Sequence, residues 1–343
     1  MKKYFLYELK KYLWTLVILT AVCAIPYIVG VATMEMFYEY TTEYGTTVRY
    51  IQDSQITNVF IELLILLFVV PALVYSFKMT KRGVDGYYSL PIKREKLYFV
   101  ATMVGLILVL VPFTVSFWGG FLTLALRAEN PYNMSWYVPA YFAGVCFAIF
   151  LYGVNAFVYT RANRVVDGLV FMAAYAFIGF LANGCLSTMC EGMYDRTPEV
   201  FKSSAAASFL FGGGMFEFLL EITRLIMGRV PDFDSQYAGW WFGLPIFAGV
   251  VCYALLFFLL RYEKGENAEQ NSESWFGYKT LIPAYVAMLF GCGIAEEIIG
   301  FVAVLVAGVV ATIVYKRKFR LKLIDWVPLA SGLVIGLVFA LIG

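Results

Sequence analysis

Apolar runs of about twenty residues recur along this chain, and a run of that length is what a helix needs to cross a hydrocarbon layer. The composition leaves little else open. Of 343 residues 61% are apolar, 18% aromatic and only 15% charged, whereas a soluble domain carries roughly a quarter charged residues. The fold class expected is therefore all-α, a polytopic membrane protein of about nine transmembrane helices.

Several chemistries are excluded at once. Histidine is absent, which removes the commonest general base and the commonest metal ligand, and with them the H-E-x-x-H zinc proteases. No Gly-Lys dipeptide occurs, so there is no phosphate-cradling loop of the Walker A kind and no ATP hydrolysis by that route. The six cysteines lack C-x-x-C spacing and read as small hydrophobes within the apolar runs, Cys190 alone being placed for a disulfide. No cofactor, metal or nucleic-acid partner is expected.

In chain order, residues 1 to 13 place Phe5, Leu6, Leu9, Tyr12 and Leu13 on one arc of a helix and Lys3, Tyr7, Glu8, Lys10 and Lys11 on the other, the pattern of an amphipathic helix lying in the interface. A first span covers Trp14 to Met34. An acidic outer segment with Glu35, Glu39, Glu43 and Asp53 leads to a second, Thr57 to Phe77. The third and fourth spans run from Tyr98 to Leu126 and from Trp136 to Tyr159, and the fifth from Leu169 to Met189. A long outer segment follows, in which Ala205 to Met227 carries Glu217, Glu221 and Arg224 along one solvated face, and is read as re-entrant or surface helix. The sixth span is Trp240 to Leu260. The polar stretch after it, expected to be loose, divides a six-span core, residues 1–262, from an extension, residues 263–343, with about three further spans. Asn155 and Asn183, at membrane depth, are read as interhelical hydrogen-bonding groups.

This topology leaves only Arg49, Arg127, Arg196, Lys202, Arg224 and Arg229 outside, of 26 lysines and arginines. Such a bias places the N-terminus in the cytoplasm and the C-terminus outside.

The inner loop Lys78 to Leu97, KMTKRGVDGYYSLPIKREKL, carries six cations against Asp85 and Glu95. Val84, Tyr87, Tyr88, Leu90 and Ile92 add an apolar and aromatic surface, and Gly83, Gly86 and Pro91 add bends. Two uses fit: a docking knob for a cytoplasmic partner, or an ordinary loop whose tyrosines rest at headgroup level.

Within that loop Met79-Thr80-Lys81-Arg82 and Ser89-Leu90-Pro91-Ile92-Lys93-Arg94-Glu95 resemble the corresponding segment of the permease subunits of type-2 ATP-binding-cassette exporters, in particular the Gram-positive peptide-antibiotic and multidrug-like group. Arg261-Tyr262-Glu263-Lys264-Gly265 is similar to the Arg-x-x-Glu-x-Gly signature that follows the sixth span there, with one residue fewer between the arginine and the glutamate and a lysine where alanine is commoner. The resemblance covers residues 1 to 265 by order of parts, and by motif these short stretches. It implies a dimeric pore, homo- or heterodimeric, in the bacterial cell membrane. The pore would be driven by a separate ATPase subunit that holds ATP and Mg and grips the permease at Lys81, Arg82, Val84, Asp85, Tyr87, Tyr88, Ser89, Leu90, Pro91, Lys93 and Arg94. It also implies export of a hydrophobic or amphipathic peptide or a lipid-like compound, and no catalysis in this chain. Two rival readings are a non-transporting antibiotic sensor or immunity protein and a glutamate-dependent intramembrane hydrolase. For the latter Glu296-Glu297 would supply paired carboxylates, but no arginine follows until Arg317 and histidine is absent.

Overall fold

The computed structural model describes residues 2–35, 37–41, 47–51, 56–127, 131–194, 213–228, 238–260, 265–272, 274–292, 298–317 and 323–342. The chain begins with α1, Lys2–Lys11, continues almost directly into α2, Leu13–Thr33, and then forms a β-hairpin before α3, Asn58–Tyr75. In the hairpin β1, Phe37–Thr41, pairs antiparallel with β2, Thr47–Ile51, in a register that sets Glu39 opposite Arg49 and Tyr40 opposite Val48. From the sequence this segment is legible only as acidic and is expected to be external. Its aromatic and β-branched residues around Gly45 are what a short hairpin uses.

After α3 come α4, Lys81–Tyr88, and α5, Arg94–Ala125. At 1.5 Å per residue the 32 residues of α5 span about 48 Å, more than the roughly 30 Å of a hydrocarbon core, so its charged start projects beyond the layer. Then follow α6, Tyr137–Thr160; α7, Val165–Tyr194; α8, Gly213–Ile226; α9, Ala238–Leu259; α10, Tyr278–Gly291; α11, Ile298–Lys316; and α12, Leu323–Ile342. Among the described residues five helices, α2, α3, α5, α6 and α7, are long and apolar enough to cross a membrane. The protein is helical and membrane-embedded.

Aromatic side chains fill the centre of the bundle. Phe60 of α3 lies 6.3 Å from both Phe113 and Phe117 of α5, and Phe117 meets Tyr137 of α6 edge-on at 5.5 Å. Polar contacts appear where the helical ladder is broken. Pro71 has no N–H to offer the carbonyl of Leu67, and the amide of Asn155 reaches across from α6 to donate to that carbonyl at 2.9 Å. Satisfying a freed carbonyl from a neighbouring helix is how membrane helices tolerate proline. At the ends, Arg127 bonds the carbonyls of Met34 and Val31 at the C-terminus of α2.

Corrections to the sequence reading arise in the second half. Glu221 is buried and paired with Arg224 at 2.6 Å, so this part of α8 is no solvated face; with 14 residues α8 runs alongside the first half of α6, from Phe216 against Phe147 to the carbonyl of Ile226, which accepts the Asn133 N–H at 2.6 Å. The side chains of Glu217 and Asn183, and both Glu296 and Glu297, lie outside the described residues. Cys146 faces outward instead of filling the interior. The three last helices gather around Val286, Phe290 and Val304, a second apolar cluster packed on α7. There Gly332 and Gly336 of α12 ride directly on α10: a Cβ at Gly332 would stand 2.6 Å from the Pro283 carbonyl and one at Gly336 2.6 Å from Phe290 Cβ. Small residues four apart let helix backbones approach this closely.

Candidate functional site

The basic loop folds into a short helix between two defined stops. Thr80 caps α4 by accepting the Gly83 N–H at 3.2 Å. At the other end Pro91 cannot continue a helix, and the turn closes as the Ser89 N–H donates to the Asp85 carbonyl. Gly83 is required by space: an added Cβ would lie 2.3 Å from the carbonyl oxygen of Phe77, where the chain turns into α4.

The knob is seated by its aromatic residues. Val84 is buried, and Tyr87 stacks on Phe77 at 4.3 Å between ring centroids. The hydroxyls of Tyr88 and Tyr98 are 2.9 Å apart, while the Arg94 guanidinium lies 4.4 Å over the Tyr88 ring. Tyr87 and Tyr88 are thus half-buried fixings of the loop and not free anchors on its surface. Lys78, counted among the surface cations, is buried as well, and its ammonium donates to the Thr160 carbonyl at the end of α6, where a cation suits the helix terminus. What faces outward is Lys81, Arg82, Asp85, Ser89, Leu90, Pro91, Lys93 and Arg94.

Two other parts of the chain converge here. Gly265 presses on the knob, since a Cβ there would come within 2.7 Å of Val84 and 3.3 Å of Tyr88. The segment after it, expected to be loose, is tied down: Glu269 accepts the Lys81 backbone N–H at 3.2 Å, and its own carbonyl takes the Arg164 Nε–H at 2.6 Å. Buried Ser272 donates to the Arg161 carbonyl at 2.7 Å. Its own carbonyl accepts from the Tyr315 hydroxyl at 2.6 Å.

The second part is α1. With α4 it encloses a groove of about 560 Å³ lined by Tyr4, Tyr7, Glu8, Lys11, Arg82, Gly83, Gly86, Tyr87 and Leu90. Glu8, assigned from the sequence to the polar arc, is almost fully buried at its base. The Lys11 ammonium lies 3.7 Å from the Glu8 carboxylate, donates to the Tyr87 hydroxyl, and stands 4.9 Å and 5.0 Å over the rings of Tyr12 and Tyr87. Burial first, and then the Glu8 carboxylate, push the phenols of Tyr4 and Tyr87 well above the ordinary tyrosine value of 10.0. Of the apolar arc read along this helix, Leu6 and Leu13 are exposed while Phe5, Leu9 and Tyr12 are half-buried, so the stripe is split between the bundle and the outside.

Among the described residues no group of three His, Cys, Asp or Glu side chains could hold a metal ion. No protein-family model, curated protein or solved structure matches the chain.

Proposed function

We propose that this chain is the pore-forming permease subunit of a type-2 ATP-binding-cassette exporter. In this reading the end of the bundle bearing α4 is cytoplasmic, α1 lies in the inner interface, and the helices make about nine spans with the C-terminus outside. A separate ATPase subunit, which would bind ATP and Mg, docks on the outward residues of α4 and the turn after it, and a second permease completes the pore. The cargo class is a hydrophobic or amphipathic peptide or a lipid-like compound.

The observation that carries this reading is the meeting of two distant stretches. The loop motif around α4 and Gly265, which closes the signature after the sixth apolar run, are 170 or more residues apart in sequence and pack on one another through Val84 and Tyr88. An external motor can act on a membrane bundle only through protein that protrudes and is firmly joined to the spans. Here α4 is joined to the turn after α3 through Phe77, to α5 through Tyr98, and to the segment after α9 through Glu269.

The docking contact is assigned to Leu90, flanked by Arg82, Asp85 and Lys93, because Tyr87 and Tyr88 already hold the knob in place. A buried apolar anchor dominates the energy of such a contact while charges around it steer and orient. The test uses the chain co-purified with its ATPase. Leu90→Asp with Arg82→Glu should release the ATPase and abolish cargo-stimulated hydrolysis while leaving the fold and yield of the permease unchanged. Full retention of both ATPase and stimulated hydrolysis in that variant overturns the docking assignment.

A further inference from the structure

Glu62 stands five residues into the apolar helix α3, about 6 Å along its axis from the first turn, at the end of the bundle opposite α4. A carboxylate at the edge of a span ordinarily escapes by reaching water. This one is half-buried, and its Oε2 atom is sealed from solvent and has no hydrogen-bond partner. Arg127, at the same end of the bundle, is bonded to the carbonyls of Met34 and Val31. An isolated carboxylate in hydrocarbon is costly, and where one is kept it marks a site whose counter-charge comes from elsewhere.

The surroundings define what could supply that charge. Glu62 faces Cys23 and Tyr27 of α2 across the seam between α2 and α3, close enough for electrostatic interaction with both. That seam is thinly closed, because α2 packs chiefly on α5 and touches α3 only lightly. Gly120 of α5 makes room for the Tyr27 ring, whose Cε1 would be 2.4 Å from a Cβ there. Ile61 and Ile65 beside Glu62, and Val22 and Ile25 on α2, are exposed to the lipid side. One carboxylate without further acidic ligands does not suit a divalent metal. An organic cation does, since it can pair with the carboxylate and lie against the Tyr27 ring face. Approach from the lipid side is across apolar surface, so the cation must carry an apolar body.

We propose that Glu62 is an intramembrane cation-binding position, reached laterally from lipid between α2 and α3, that takes the ammonium or guanidinium head of a cationic amphiphile. This inference does not rest on the permease reading, and its test needs no ATPase. The full chain is purified in phosphatidylcholine nanodiscs and treated with dicyclohexylcarbodiimide, which modifies carboxyl groups in apolar surroundings, and the adducts are mapped by peptide mass spectrometry. Glu62 is expected to be modified. Dodecylamine should reduce that modification tenfold or more at a concentration where dodecanol changes it less than twofold. Dodecylamine should also raise the thermal unfolding temperature of the wild type and of Glu62→Asp, but not of Glu62→Gln. Absence of the adduct at Glu62, equal protection by the alcohol, or an undiminished thermal shift in Glu62→Gln each overturns the proposal. The mapping on the wild type decides the matter even if Glu62→Gln fails to fold.

Discussion

Two glycines three residues apart in α4 have opposite reasons to be there. Gly83 sits where any side chain would strike a backbone carbonyl, that of Phe77 at 2.3 Å, and backbone cannot yield as a side-chain tip can. Gly86 has nothing within 4 Å of an added Cβ and is exposed, so it contributes only the entropic weakness of glycine in a helix. Gly83→Ala should therefore unseat α4 and cost on the order of 1–3 kcal/mol, whereas Gly86→Ala should stabilise the same helix by about 0.5–1 kcal/mol. Thermal unfolding of the purified chain in detergent, with proteolysis at Arg82 as a local probe, checks both. Similar effects from the two substitutions would contradict this placement of α4.

At the scale of elements, α1 meets α4 through polar groups gathered around the buried Glu8. Glu8, Lys11, Tyr4 and Tyr87 make a small network at the base of the groove. The docked phenols titrate above the ordinary value of 10.0, so undocking α1 lowers their values toward it and lets protons leave. The contact is then at full strength below pH 10 and weakens as pH rises from 10 toward the higher docked values. A spin-label distance between α1 and α4 should hold constant from pH 6 to 9 and lengthen above about pH 10. Changing Tyr4 and Tyr87 together to phenylalanine should remove that alkaline step and weaken docking at neutral pH by roughly 1 kcal/mol per lost hydrogen bond. A distance that lengthens between pH 6 and 9 would show that some other group controls the contact.

For the whole molecule, orientation is the property to test, and the structure changes which residues can test it. Ser272, in the polar stretch after the sixth apolar run, is buried under Arg161 and would resist labelling from either side. Ser203 and Asn130, in segments expected outside, lie outside the described residues. Ser89 and Glu266 are exposed at the α4 end, and Ser135 at the other. Since lysine and arginine accumulate at the α4 end, that end should be cytoplasmic. Cysteine placed at Ser135 should react with an impermeant maleimide in intact cells, and cysteine at Ser89 or Glu266 only after lysis. Labelling at Ser89 in intact cells would invert the topology and remove the ground for a cytoplasmic partner there.

By itself the sequence determined that the chain is a bundle of membrane helices, because only helical runs of this length satisfy their own backbone in hydrocarbon. It also located the basic loop, since charge patterning and Gly-Pro punctuation are local signals. What it left undecided depends on which distant residues meet. Nothing in residues 78–97 alone says that Tyr87 and Tyr88 turn inward onto Phe77 and Tyr98 while Leu90 stays out. The polar stretch after α9 reads as a loose linker from its glycine, asparagine and glutamate, yet it packs because Asn163, Arg164 and Arg161 offer it partners from over a hundred residues away. Helical periodicity put Glu8 on a solvated arc, and only the packing of α1 on the bundle buries it. Glu62 lay unmarked within an apolar run, because the lack of a partner for its carboxylate is a property of the packed bundle and of no local pattern.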